Sequence, residues 1–209
     1  MRPENVEAHR ERVHDWLKAL YHPTQSRPPL SVKGKAVATD ETWFGETDAA
    51  RRYARAPSGE RVEIPVEHIY HQKRWCILGA CTSKGIIHNA TYITQEKMVT
   101  EVYTWWFETI LLPNVEEGSA ILIDNAPFHD FPALTALADA KGVFLLPTPP
   151  RCPEDNPIEL VWAAIDKLMV ADGRDIFKDD PMACIKKALY NVTAKEVGKC
   201  FCHCGLDGY

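Results

Sequence analysis

Two acids in the second half of the chain stand at positions where chemistry is done. Asp124 ends the apolar run of ILIDNAPFH, with His129 five residues on, and Glu159 lies just inside the helix-like start NPIELVW. Thirty-four residues separate Asp124 from Glu159, and a third acid, Asp40, occupies the earlier segment AVATDETWF. Carboxylates delivered by a strand end and a helix start suit a divalent cation. Magnesium takes oxygen ligands in near-octahedral geometry and keeps several waters, so two or three carboxylates and a substrate phosphate suffice. A pair of such ions, about 3.5 to 4 Å apart, activates an attacking oxygen and stabilises a leaving one. The expectation is metal-dependent cutting of nucleic acid.

Each acid also has a plain structural reading. Asp40 and Glu41 together read as a solvated strand end. Asp124 followed by Asn125 reads as an Asx-type turn closing a strand. With Asn156 as N-cap and Pro157 as the first helical residue, Glu159 falls at the third position, where a capping-box glutamate belongs. The same place favours an ionised metal ligand, because the helix N-terminus attracts negative charge. Position alone leaves both readings of Glu159 open.

The elements that must carry these residues follow from periodicity and turn chemistry. Residues 4–20 place Val6, Val13, Leu17 and Leu20 on one helical face, and the Pro-rich stretch 21–35 reads as a linker. Strands are expected at 36–44, 62–69, 74–81 and 86–93, with Gly85 marking a turn. Thr94 is the expected cap of a helix running to 112, where Pro113 stops it. A strand at 120–124 precedes a short helix opened by Asp130 and Pro132 and closed by Gly142. A strand at 143–146 precedes a helix from Pro157 whose apolar face carries Ile158, Val161, Trp162, Ile165, Leu168 and Met169. Asp180 and Pro181 open the last helical region, and Thr193 with Glu196 has capping-box spacing. Strands first and then alternating helices imply a mixed sheet with helices packed on it, an α/β layer architecture. The strand–helix–strand unit at 120–146 should cross over right-handed, with ligands gathering at the carboxyl ends of its strands, where Asp124 falls.

Composition bounds these expectations. The 209 residues are 45% hydrophobic and 25% charged, ordinary values for a globular domain. A net charge of -5 argues against a surface that embraces DNA throughout, since phosphate binding relies on Lys and Arg. Neither a membrane span nor the apolar core of a signal peptide is visible, so no membrane partner and no secretion are expected. Seven cysteines, without a regular framework, fit a reducing compartment. Asn191-Val192-Thr193 matches a glycosylation sequon only by chance on this view.

The series DETWF, ILIDNAPFH and LPTPPRCPEDNPIELVW resembles the catalytic domains of mariner-superfamily DNA transposases, in the branch with two aspartates and a glutamate and thirty-four residues between the last two. HRERVHDWL, RRYARAPSGERV, WCILGACTSKGIIH and the stretch ending ILLPN extend the resemblance over nearly the whole chain. It implies a ribonuclease-H-like fold, a mixed five-stranded sheet flanked by helices, with Asp40 on the first strand and Asp124 on the adjacent fourth. It implies Asp40, Asp124 and Glu159 as catalytic ligands of two Mg²⁺ or Mn²⁺ ions, supported by His129, Asn125 and Asn156. The implied reaction is DNA strand cleavage at transposon ends followed by strand transfer, with DNA and optionally a second copy of the chain as partners. A eukaryotic source would place it in the nucleus, any other in the cytoplasm.

The chain departs from the family in two respects. Cys152-Pro153-Glu154-Asp155 replaces the usual Ser-Pro-Asp-Leu, adding negative charge beside the ligands. Full-length relatives carry two helix-turn-helix units ahead of this domain, whereas 35 residues precede Ala36 here. The division is therefore 1–35, a helix and linker, and 36–209, the catalytic domain of a truncated element. The rival expectation is a domesticated, catalytically idle domain that binds DNA or protein, and a structure-specific nuclease on the same fold is a third.

Arg51, Arg52, Arg55, Arg61, Lys73 and Arg74 form the main basic concentration, either a DNA-backbone contact or a solvated hairpin. His129 either tunes the metal site or fixes the Asp124 loop by a hydrogen bond. Trp105 and Trp106 read as helix packing rather than base-stacking groups. Cys200, Cys202, His203 and Cys204 lack the partner pair of a zinc site and read as an incidental tail or frayed helix.

Overall fold

The computed structural model describes residues 36–45, 73–148, 153–172 and 174–206. The expected N-terminal helix and linker, the strand at 62–69 and the basic residues Arg51, Arg52, Arg55 and Arg61 lie outside the described residues.

Strand β1 (Ala36–Gly45) is the middle of the sheet. On one side it pairs antiparallel with β2 (Arg74–Thr82), bringing Asp40 opposite Gly79 and Glu41 opposite Leu78. Two short strands, β3 (Gly85–Ile86) and β4 (Tyr92–Thr94), both pair with β2. On the other side β1 pairs parallel with β5 (Ala120–Ile123), and β5 with β6 (Phe144–Pro147). The order is β3-β2-β1-β5-β6, with β4 also on β2. Among the described residues the sheet thus has the five expected positions but six strands. A 3₁₀ turn at His88–Ala90 breaks the stretch that alternation predicts as one strand.

Side-chain alternation along the strands feeds two cores. Ala36, Ala38, Phe44, Ile77, Cys81, Ala120 and Leu122 face one layer, with Trp162, Ile165, Phe177, Ile185 and Phe201. That layer is built by α3 (Pro157–Asp172), α4 (Arg174–Asp179), α5 (Pro181–Asn191) and α6 (Ala194–His203). Val37, Cys76, Leu78, Ala80, Ile121 and Ile123 face the other, with Tyr103, Trp106, Phe107 and Leu134. These come from α1 (Thr100–Trp106), its π-helical continuation Phe107–Leu111, and α2 (Phe131–Ala140). Each large apolar side chain fully buried here contributes about 1.5–3 kcal/mol, so both faces of the sheet are firmly backed. This is the ribonuclease-H-like arrangement that the resemblance implied.

Local chemistry explains most helix ends. Asp130 accepts the Ala133 N–H and Gly142 closes the turn after α2 at φ +70°, while Asp180 accepts the Ala183 N–H ahead of α5. Thr94 is a correction. It ends β4, its hydroxyl accepting the Glu96 N–H, and α1 begins six residues later at Thr100. Trp106 is fully buried and donates to the Ala90 carbonyl, as helix packing requires, whereas Trp105 is 46% exposed and meets Tyr92 edge-on. The C-terminal cysteines are likewise neither tail nor fray. They lie on or just after α6, and the buried Cys204 donates its thiol to the Glu154 carbonyl at 3.3 Å.

Candidate active site

The parallel pairing of β1 with β5 covers Ala36–Ala38 against Ala120–Leu122, and there the two strands part. Asp40 and Glu41 lie just beyond on β1, and Asp124 follows the last residue of β5. Polar groups stitch this opening. The buried Thr39 hydroxyl donates to the Leu122 carbonyl (2.7 Å), and the Asn156 side-chain amide donates to the Thr39 carbonyl (3.0 Å). On the far side the Asn125 amide donates to the Thr148 carbonyl (2.7 Å), whose own N–H reaches the Ile123 carbonyl (2.7 Å). Two of the residues expected to support the site, Asn125 and Asn156, therefore join strand ends and the start of α3.

Glu159 comes from the first turn of α3 and is exposed. The capping-box reading of it does not hold. The Asn156 N–H that a third-position glutamate would accept goes instead to the Pro153 carbonyl at 3.0 Å. Asn156 spends its amide on β1, and its oxygen lies 3.5 Å from the Ile158 N–H, at the outer edge of a cap contact.

The electrostatics tie the acids together. Burial pushes Asp40 up to about 9, helped by the charges of Glu41, Glu159 and Asp124. Burial, then Asp124, pushes Glu41 up to about 7. Glu159 is raised by partial burial and by Asp124. Burial acts to raise Asp124 too, but the His129 ring and the Ala126 N–H outweigh it and hold this carboxyl below its ordinary range. Asp124 is thus the acid kept ionised, and the others crowd against its charge. Among the described residues no Lys or Arg pairs with any of the four; the ion-pair contact present is His129 with Asp124. The expected solvated pair Asp40-Glu41 is instead half-buried and inside the cluster.

His129 is buried, its side chain 1% exposed, between Tyr103 (ring centroids 4.1 Å), Phe128 and Phe131. Its Nδ1 lies 3.0 Å from the Asp124 main-chain oxygen and 3.2 Å from Asp124 Oδ1. A carbonyl oxygen only accepts, so Nδ1 carries the proton. The ring therefore fixes the Asp124 loop, and it also stands beside the acids. Glu41, Asp124 and His129 each place a ligand atom within 4.8 Å of the others.

Three participants were not singled out from the sequence. Trp162 donates its indole N–H to Asp40 Oδ2 at 3.1 Å; its spacing of three from Glu159, which puts both on one helix face, was the available signal. Thr39 and Tyr103 carry none. Of the basic residues, Lys73 and Arg74 are exposed at the start of β2, with Arg74 opposite Gly45 at the far end of β1.

Comparison with known proteins bears on the family and the fold. The model of the DDE superfamily endonucleases matches residues 35–179. The Mos1 transposase paired-end complex with left transposon end matches with a TM-score of 0.69 and 15% identity, over 98% of this chain and 60% of that one. The Mos1 Strand Transfer Complex gives 0.67 and 16%, over 100% and 60%. The catalytic domain of Mos1 mariner transposase gives 0.58 and 13%, over 100% and 91%. The chain spans about three-fifths of the length of the transposase chains in those two complexes. No curated protein matches it. Identities this low show the fold, that of the mariner catalytic domain; the family match, covering well over half of the sequence, shows more, and the chain belongs to the DDE superfamily of endonucleases.

Proposed function

We propose that this domain cuts DNA strands with a divalent cation and joins the freed 3′ end to target DNA, as a transposase does. The observation that carries the reading is the gathering of Asp40, Glu41, Asp124 and Glu159 from β1, the end of β5 and the start of α3, unmatched by any Lys or Arg among the described residues. Carboxylates pushed upward by burial and by one another are what a cation relieves, so the donor set fits Mg²⁺ or Mn²⁺, and all its donors are hard oxygens. The Mos1 catalytic domain has been solved with each of these ions. Asp40, Asp124 and Glu159 would hold them, two ions being the reading that suits both halves of a phosphoryl transfer. Bound there, the metal supplies charge neutralisation for the attacking and leaving oxygens of an in-line displacement.

The chain itself supplies position and charge. Asp124 stays ionised in a loop clamped by His129 and the Ala126 N–H. Asn156 and Thr39 hold the start of α3 and the end of β5 to β1, which sets where Glu159 stands relative to Asp40. The Mos1 complexes contain transposon ends, and DNA is the partner proposed here. Arg51, Arg52, Arg55, Arg61, Lys73 and Arg74 are the groups proposed to take its phosphates.

Nicking of supercoiled DNA in Mn²⁺ tests the reading. Asp40→Ala, Asp124→Ala and Glu159→Ala should each abolish nicking while melting cooperatively. Retained nicking in all three ends the catalytic claim. An inactive parent that still binds DNA moves the domain to an idle, DNA-holding role.

A further inference from the structure

We infer that Trp162 is a positioning residue for the site, holding the Asp40 carboxylate in register with Glu159 through its indole N–H and its seat on Gly79. The inference rests on reading Asp40 and Glu159 as metal ligands. Trp162 is 6% exposed and belongs to the core beneath α3, so packing alone would account for an apolar ring here. Two observations go beyond packing.

The first is the seat. Gly79 lies opposite Asp40 on β2, and a Cβ built on it would stand 2.5 Å from Trp162 Cη2 and 3.2 Å from Cζ2. The ring therefore lies against bare strand backbone, closer than any residue with a side chain permits. A glycine inside an apolar strand weakens it unless something approaches closely, and the indole is what approaches.

The second is the polar end. An indole offers one donor and no acceptor, and a buried N–H without a partner is costly. This one is satisfied by Asp40 Oδ2 at 3.1 Å. The bond occupies one carboxylate oxygen from the α3 side and fixes the side chain about its torsions. Because Trp162 stands one turn after Glu159, the helix that delivers the third acid also grips the first. Sliding or rotating α3 would move Glu159 and Asp40 together rather than apart.

Two measurements on the whole chain test this. In metal-free protein the indole N–H resonance of Trp162, assigned by its absence in Trp162→Phe, should move on Asp40→Ala; a resonance indifferent to that change overturns the hydrogen bond. Mn²⁺ binding, followed by the EPR signal of the free ion, should weaken on the order of 10- to 100-fold in Trp162→Phe, the usual effect of losing a group that orients a ligand. Replacing Trp162 by benzothienylalanine, which keeps the bicyclic shape and substitutes sulfur for the N–H, should reproduce that loss with an unchanged melting temperature. Should this shape-preserving variant bind Mn²⁺ like the parent, the residue only packs and the inference fails. Asp124→Ala is the control: if it leaves parental Mn²⁺ affinity untouched, the metal-site reading itself fails, and this inference with it.

Discussion

Two helices of this domain begin with the same local pattern, a polar residue followed three positions later by a glutamate. At α6 the pattern closes on itself. Glu196 Oε2 accepts the Thr193 N–H at 2.8 Å and its hydroxyl at 2.7 Å, while that hydroxyl accepts the Glu196 N–H. These hydrogen bonds lower the Glu196 carboxyl. At α3 the equivalent bond is absent, because the preceding 3₁₀ turn Pro153–Asp155 brings the Pro153 carbonyl under the Asn156 N–H. Glu159 is left to its neighbours and is raised. One glutamate is comfortable and the other is not, and the difference is written in the turn ahead of the helix rather than in the pattern. A helix start that declines its own cap has released a carboxylate for something else.

The sharpest way to break this contrast is at the two glutamate-bearing starts themselves. Glu159→Gln should reduce Mn²⁺-dependent nicking by more than about 100-fold, beyond what loss of a merely orienting group costs, without lowering the melting temperature in EDTA. A lowered melting temperature with nicking intact would make Glu159 a cap after all. Next in size is Gly79→Ala, which drives a methyl into Trp162 and lifts the anchor of α3. Overpacking of this kind costs about 1–3 kcal/mol, read as a shifted urea midpoint with an unchanged slope. A neutral result would show that α3 is not anchored there.

The pH response tests the same contrast through charge. Asp40 stands at about 9 in the fold against an ordinary 3.8, so the native protein keeps a proton that the unfolded chain has released between those values. Stability should therefore fall as pH rises from about 4 toward 9. Melts of metal-free protein across that range should slope downward, and Asp40→Asn should flatten them; parallel curves would refute the burial of a protonated Asp40. Last, Thr193→Ala should cost about 1 kcal/mol, the usual worth of an N-cap, and leave nicking unchanged. If nicking changes, the two helix starts are not independent.

The clustering acids were legible because Asp124 and Glu159 sit at element ends that leave marks in sequence. The layers were legible too, since alternation on β1, β2 and β5 and helical spacing on α3 both follow from which faces are buried. What escaped depended on tertiary placement. Glu41 looks like half of a solvated pair until the sheet and the His129 loop enclose it. Trp162 satisfies the helical apolar period and so hides its polar end. The stretch 86–93 alternates like a strand, yet the 3₁₀ turn at His88–Ala90 breaks it into two short strands on the same edge of β2. Thr94 has the chemistry of a cap, but spends its hydroxyl on the turn that ends β4.

The seam between β1 and β5 has a mechanical consequence. Three described residue pairs join the half-sheet that bears Asp40 to the half-sheet that bears Asp124, with Thr39 as a rivet at its end. This joint passes between the two aspartates. Their separation is thus set by how firmly this line is zipped. The amide protons of Ala36–Ala38 and Ala120–Leu122 are accordingly a gauge, and the rate at which they exchange with solvent reads how often the two halves of the site come out of alignment.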